Sequence, residues 1–157
     1  MSEILCKNQS ETESLAAKLA LRAKPGDLFA LTGDLGAGKS TFARAFIRAA
    51  VGNPHAEVPS PTFTLVQSYD GESVIHHADL YRLNDPEDVY DLGLDDELDD
   101  AIFLVEWPDR MPAEWWQSAL EVQMKRVGEI AVSGDEERLL TFGGNQGRWS
   151  VLLEGLL

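Results

Sequence analysis

The segment from Gly33 to Ser40 constrains this chain more than any other part of its sequence. It reads Gly-Asp-Leu-Gly-Ala-Gly-Lys-Ser and matches the pattern GxxxxGK[ST] at every fixed position. Glycines permit backbone torsions that turn successive N–H groups toward one anion, and the lysine and serine that end the pattern supply a cation and a hydroxyl. The segment therefore predicts a loop that holds the phosphates of a nucleoside triphosphate.

The residues on either side place this loop between a strand and a helix. Asp27 to Thr32 is short and mostly apolar, as a buried strand would be, and Lys39 to Ala50 repeats apolar residues at helical spacing. A loop that ends at a helix N-terminus gains the unpaired amides and the dipole of that helix. We expect Lys39 to reach the β- and γ-phosphates and Ser40 to bind Mg²⁺ through its hydroxyl.

Apolar patterns elsewhere predict an α/β fold. Ser10 is expected to cap a first helix, with Glu13 reaching back to it, and a closing helix is expected over Trp149–Leu157. Further strands are expected at Phe63–Tyr69, Val74–Ala78, Ala101–Val105, Leu120–Met124, Ile130–Val132 and Arg138–Phe142. We predict one domain over residues 1–157: a P-loop NTPase-like three-layer sandwich whose mainly parallel central sheet carries an antiparallel C-terminal extension.

Two carboxylates follow predicted strands and are candidates to complete the nucleotide site. Glu106 comes directly after the apolar run, and Asp79 ends an earlier strand. Ligands of open parallel sheets bind beyond the carboxyl ends of the strands, and a Mg²⁺–nucleotide site needs an acidic residue there. Either carboxylate could bind the metal. Thr62, which follows two prolines, resembles a switch-loop hydroxyl, whereas His76 and His77 are predicted to point to opposite sides of their strand, one inward and one outward.

The composition excludes several classes of protein. The 157 residues include 27 acidic and 13 basic ones, so a large basic face for RNA is not expected, and any RNA would be held mainly by a partner. One cysteine and three histidines exclude a disulfide framework and disfavour a Cys/His zinc site. We found neither a signal-peptide pattern nor an apolar run of about 18 residues, which favours a cytoplasmic protein without a membrane segment.

Missing motifs narrow the choice of nucleotide and reaction. The sequence lacks the Asn-Lys-x-Asp motif with which GTPases read guanine, which favours ATP, and it lacks an arginine-rich lid of the kind found in small-metabolite kinases. Such a kinase, with Asp79 as the base, remains an alternative. A second alternative is a binding switch with negligible catalysis, in which residues Ser60 to Thr64 reorder around the γ-phosphate.

Four further segments follow the phosphate loop in a characteristic order. They are Ser60–Val66 (SPTFTLV), His77–Leu83 (HADLYRL), Leu92–Leu94 (LGL) and Val105–Pro108 (VEWP). With the loop, they resemble the TsaE family, formerly called YjeE, whose members are bacterial P-loop ATPases needed for N6-threonylcarbamoyladenosine in tRNA. The resemblance covers Gly33 to Pro108, and the chain after Pro108 carries no diagnostic motif.

The resemblance implies a weak Mg²⁺-dependent ATPase that binds TsaD and TsaB. TsaD would transfer threonylcarbamoyl to the tRNA adenosine beside the anticodon, and this chain would support turnover of that complex, meeting tRNA only indirectly. Catalytic roles are implied for Lys39, Thr62, Asp79 and Glu106, and Mg²⁺ binding for Ser40 and Glu106. Nucleotide contacts are implied for Ser10, Glu11 and Thr12, near the base or sugar, and for Gly33, Leu35, Gly36, Ala37, Gly38, Lys39, Ser40 and Thr41. Many relatives have threonine where this chain has Ser40, which supplies the same hydroxyl.

Overall fold

The computed structural model describes residues 2–34, 36–62, 64–128, 134 and 136–156, which form one seven-stranded sheet with helices on both faces. The strands are β1 (Ser2–Cys6), β2 (Leu28–Thr32), β3 (Val66–Asp70), β4 (Val74–Asp79), β5 (Ile102–Glu106), β6 (Ala119–Val127) and β7 (Glu137–Gly144). The α-helices are α1 (Gln9–Arg22), α2 (Lys39–Val51), α3 (Ala113–Trp116) and α4 (Gln146–Leu152). Short 3₁₀ helices cover Pro86–Leu92, Asp95–Glu97 and Pro108–Arg110.

The strand order is β1-β7-β6-β2-β5-β4-β3. The four central strands β6, β2, β5 and β4 run parallel, and antiparallel pairs flank them on both sides. The predicted α/β class with a mainly parallel centre is confirmed. The N-terminal strand β1 was not expected from its sequence, because its five residues alternate weakly and include an exposed leucine, Leu5.

The central strand β2 divides the core into two clusters. Phe29 and Leu31 point toward α1, α2 and α4, whereas Leu28 and Ala30 point toward the 3₁₀ helices and α3. Each of these four residues is at most 2% exposed. Because both faces of the strand are covered, its sequence is an apolar run without alternation, as expected for the centre of a parallel sheet. The result is the predicted three-layer arrangement.

The first helix begins differently from the prediction. Asn8, not Ser10, caps α1: its side-chain oxygen accepts a hydrogen bond from the Glu11 N–H at 2.9 Å. The predicted partner Glu13 instead accepts from the Gln9 side chain at 2.9 Å. The Ser10 prediction is therefore wrong. Asparagine and serine are similarly good caps, so local sequence alone could not choose between two starts that lie two residues apart.

Two further boundaries shift for local reasons. Strand β3 begins at Val66 because Leu65 adopts a positive φ of 67° and its N–H closes a turn on the Pro61 carbonyl. Helix α4 begins before Trp149 because the Asn145 side chain accepts from the Arg148 N–H and caps it. The predicted strand Ile130–Val132, like Phe63, lies outside the described residues.

Within the described ranges, no helix is both long enough and apolar enough to cross a bilayer.

Candidate functional site

The loop between β2 and α2 has the backbone of an anion site. Gly33, Gly36 and Gly38 have φ values of 148°, 83° and 107°, which side chains disfavour. Gly38 stands at the N-cap of α2, where no side chain caps the helix. The N–H groups of the first helical turn have no acceptor within their own helix, so they are available to an external anion.

Gly33 also passes close to the neighbouring strand. A Cβ atom added there would lie 2.5 Å from the Met124 carbonyl oxygen of β6, whereas one added at Gly36 would meet nothing within 4 Å. Both glycines have positive φ, so alanine strains the backbone at either position. We therefore expect Gly33→Ala to lower the free energy of unfolding by about 1–3 kcal/mol more than Gly36→Ala does, because it adds a backbone clash. Urea denaturation of the two variants measures the difference. Equal losses of stability would show that β6 does not restrict the loop.

The strand register brings the predicted acids together. Glu106 is paired with Leu31 of β2 on one side and with Asp79 of β4 on the other. The carboxyl ends of these strands thus lie beside the start of α2, where parallel sheets bind their ligands. A cavity of about 660 Å³ opens there, and its lining comprises Gly36, Gly38, Lys39, Ser40, Thr41, Ser60, Thr62, Asp79, Tyr81, Glu106, Trp107 and Arg138. All four residues predicted to be catalytic line it.

Asp79 is held by the protein through both carboxylate oxygens. One oxygen accepts a hydrogen bond from the Thr62 hydroxyl at 3.2 Å, and the other accepts from the Tyr81 N–H at 3.0 Å. The Thr62 hydroxyl also lies 2.7 Å from the hydroxyl of Ser60. Asp79 is 5% exposed. It is therefore placed to orient the segment that contains Thr62 rather than to offer a free oxygen.

Glu106 is held on one side only. Its Oε2 lies 2.7 Å from Nε2 of His77, and both side chains are buried. No other hydrogen bond to this carboxylate occurs among the described residues. Glu106 also lines the cavity. Of the two acids of the site, it is therefore the one with a carboxylate oxygen available to an external ligand.

Lys39 rests on an aromatic ring. Its Nζ lies 4.0 Å from the ring centroid of Trp107, a cation–π distance. Trp107 has a positive φ of 56°, and its ring packs against Tyr81 at 4.8 Å. Sequence patterns could not predict this contact, because it depends on the torsion at Trp107. The ammonium is buried beside the loop, and it contacts the indole ring in the position that a phosphate would take.

Arg138 joins the C-terminal hairpin to the phosphate loop. From β7 its guanidinium donates to the Ala37 carbonyl at 2.8 Å and to the Gly36 carbonyl at 3.2 Å, and it forms an ion pair with Glu136. These bonds leave it little capacity for a ligand. Its role is to hold the loop carbonyls in place. This role could not be predicted from the sequence, because about a hundred residues separate Arg138 from the loop.

We expect Arg138→Ala to loosen the loop and lower the free energy of unfolding by about 1–3 kcal/mol, because two loop carbonyls lose a charged donor. Affinity for a nucleotide analogue should fall about tenfold, which corresponds to about 1.4 kcal/mol. Arg126→Ala is the matched control, since Arg126 pairs with the same Glu136 but makes no hydrogen bond to the described residues of the loop. Calorimetry and urea denaturation measure both effects. If Arg126→Ala had as large an effect, the lost ion pair with Glu136 would explain the result, and not the lost bonds to the loop carbonyls.

A second cavity of about 390 Å³ shares Gly38, Thr41 and Arg138 with the first. Its lining comprises Gln9, Thr12, Gly38, Thr41, Gly134, Glu136 and Arg138. Of the three residues predicted to lie near the base or sugar, Thr12 lines it. Ser10 instead lines a groove between α1 and α2, and Glu11 accepts a hydrogen bond from the Lys7 N–H. Gln9 and Glu136 were not predicted.

The other loop residues predicted to contact the nucleotide do not all lie at the main cavity. Gly33 and Ala37 belong to the loop but do not line the main cavity, and Leu35 lies outside the described residues. The roles of all these residues in binding a nucleotide remain predictions.

Comparison with known proteins identifies the family. The family model described as threonylcarbamoyl adenosine biosynthesis protein TsaE matches residues 6–133. The tRNA threonylcarbamoyladenosine biosynthesis protein TsaE of Bacillus subtilis is 39% identical over 151 residues, covering 95% of this chain and 89% of its own. That of Rickettsia felis is 36% identical over 146 residues, covering 88% and 85%. A crystal structure of Bacillus subtilis YdiB superposes with a TM-score of 0.74 at 34% identity, covering 99% of this chain and 93% of its own. The family model covers most of the chain and the relatives share its fold, so the chain belongs to the TsaE family of threonylcarbamoyl adenosine biosynthesis proteins.

Proposed function

We propose that this chain binds and hydrolyses Mg²⁺–ATP, and that in the cytoplasm this hydrolysis supports the formation of threonylcarbamoyladenosine in tRNA by a TsaB–TsaD complex. The observation that carries the proposal is the convergence of Lys39, Ser40, Thr62, Asp79 and Glu106 on one cavity at the start of α2. Family membership supports the link to tRNA modification. The net charge of −14 supports leaving tRNA binding to the partner proteins.

The loop fits a triphosphate. The uncapped N-terminus of α2 offers backbone N–H groups, and Lys39 offers a cation at its first residue. Lys39 is nearly buried, so its attraction to phosphate is screened less than that of a surface lysine. The N–H groups are fixed by the helix before a nucleotide arrives and need little reorganisation when negative charge develops on the phosphate oxygens.

The same cavity fits Mg²⁺ only together with a nucleotide. Among the described residues no group of three or more His, Cys, Asp or Glu could hold a metal ion. Mg²⁺ commonly takes one or two protein ligands along with phosphate oxygens and water. Ser40 and Glu106 would hold it here, since each Asp79 oxygen already accepts a hydrogen bond from the protein, whereas among the described residues only one Glu106 oxygen does. Bound Mg²⁺ would neutralise phosphate charge.

Hydrolysis would then depend on positioning. Glu106 would orient the attacking water through its free oxygen, and the Asp79–Thr62 pair would hold the Thr62 hydroxyl beside the γ-phosphate. Lys39 and the loop amides would stabilise charge as the bond to the leaving phosphate breaks. A rate limited by this positioning would be low in the isolated chain and would rise when a partner completes the cavity.

The test follows γ-labelled ATP with the purified chain, alone and with TsaB and TsaD homologues, and scores modification of tRNA. We expect inorganic phosphate as the labelled product, stimulation by the partners, and tRNA modification that requires this chain. A labelled metabolite would instead indicate a kinase. Stimulated modification without ATP turnover, combined with tighter partner binding in the ATP state than in the ADP state, would indicate a switch without catalysis.

A further inference from the structure

Two adjacent histidines of β4 are both buried, contrary to the inward–outward alternation predicted for them. His76 is 5% exposed and His77 is 2% exposed. His76 faces the layer of 3₁₀ helices, where it packs against Phe103 and bonds with Ser68 and Glu97. His77 faces the opposite layer and bonds with Glu106 at 2.7 Å. Both rings thus bond with a glutamate, but only the partner of His77, Glu106, belongs to the nucleotide site.

The bonding of His77 is one-sided. Among the described residues, its buried Nδ1 has no hydrogen-bond partner, and Nε2 bonds with Glu106. A buried polar atom without a partner is unfavourable, so packing does not explain a histidine here: an apolar side chain would fill the space without that cost. The partner is a carboxylate of a residue that also lines the cavity. The arrangement therefore serves the Nε2–Glu106 bond.

We infer that His77 is a positioning residue: the Nε2–H donated to Oε2 fixes the rotamer of Glu106, so that Oε1 faces the metal and the attacking water of the nucleotide site. This inference rests on the proposed function. Strand register supports it, because His77 and Asp79 lie two residues apart on one face of β4, opposite Leu104 and Glu106 of β5. A side chain held by such an outer partner binds its ligand with less loss of rotamer freedom.

The inference is tested by comparing His77→Leu with His77→Gln. Leucine fills the space but cannot donate, whereas glutamine keeps an N–H donor close to the position of Nε2. We expect His77→Leu to lower kcat for ATP hydrolysis about 10- to 100-fold, as for the loss of other side chains that orient a metal ligand. His77→Gln should restore most of that loss. His76→Leu, on the other face of the sheet, should leave turnover unchanged.

A second readout does not depend on turnover. The affinity for a fluorescent ATP analogue is measured with Mg²⁺ and with EDTA, and we expect the gain in affinity from Mg²⁺ to be lost in His77→Leu and retained in His77→Gln. Thermal melting shows whether each variant is folded, and His77→Asn, whose amide is too short to reach Glu106, replaces His77→Leu if that variant unfolds.

The outcomes separate this inference from the proposed function. If the wild-type chain turns over no ATP even with its partners, the proposed function is wrong, while the Mg²⁺ dependence of nucleotide affinity still decides the role of His77. Wild-type Mg²⁺ dependence in folded His77→Leu would overturn the inference. Equal losses of turnover in folded His77→Leu and His77→Gln would also overturn it. They would show that the imidazole ring acts by packing and not by donating a hydrogen bond.

Discussion

Replacing Lys39 with alanine is expected to weaken ATP binding by about 10- to 100-fold. Two cations line the main cavity, Lys39 and Arg138, but the guanidinium of Arg138 is already bonded to loop carbonyls and to Glu136. Lys39 is therefore the cation that can move onto a phosphate. A charge-assisted hydrogen bond contributes about 1.5–3 kcal/mol, and the upper value corresponds to about two orders of magnitude in affinity.

Isothermal calorimetry with a slowly hydrolysed ATP analogue measures this loss. Lys24→Ala is the matched control, because Lys24 is exposed and lines neither of the cavities beside the loop. It should bind the analogue like the wild-type chain. Melting temperatures should confirm that both variants are folded. Unchanged affinity in folded Lys39→Ala would rule out the proposed phosphate site.

The second large effect is expected for Glu106→Gln, which should lower ATP turnover about 100-fold or more while changing the nucleotide affinity measured without Mg²⁺ less than about threefold. Glutamine keeps an oxygen that can accept from His77 Nε2, so the side chain can stay in place. It loses the negative charge that would hold Mg²⁺ or polarise the attacking water. Removing a group that acts in proton transfer or charge stabilisation commonly costs 10²–10⁴-fold in rate, which leads to this estimate of about two orders of magnitude or more.

Glu97→Gln is the matched control for this substitution. Glu97 also bonds with a buried histidine, His76, at 3.2 Å, but on the opposite face of the sheet and away from the cavity. Its turnover should equal that of the wild-type chain. Phosphate release at saturating ATP, measured beside analogue binding, distinguishes loss of chemistry from loss of binding. Wild-type hydrolysis by Glu106→Gln would remove this carboxylate from the reaction and direct attention to Asp79.

Much of the site could be predicted because its signals are local. The glycines of the loop, the lysine and serine after them, and the acids that end β4 and β5 each stand at the boundary of an element that the apolar pattern already marks. Parallel strands then bring those boundaries to one edge. The convergence of Lys39, Asp79 and Glu106 on one cavity follows from strand direction, whereas Thr62 was expected there from its likeness to a switch-loop hydroxyl.

The remaining features depend on contacts that local patterns do not encode. Arg138 reaches the loop across about a hundred residues, and Lys39 meets Trp107 only because the backbone turns at that tryptophan. The sequence also left open whether Asp79 or Glu106 would bind the metal. That choice depends on which carboxylate oxygens the protein itself occupies, and the hydrogen bonds of the folded chain favour Glu106.

The contacts of the loop with the C-terminal hairpin have a consequence for the order of synthesis. The phosphate-binding motif is complete once Ser40 has been made, yet the loop packs against the Met124 carbonyl of β6 and is bonded by Arg138 of β7. A ribosome-bound chain that ends before these strands lacks both supports. We therefore expect a nascent chain to gain affinity for nucleotide only after its last third has emerged, so that incomplete chains do not capture ATP.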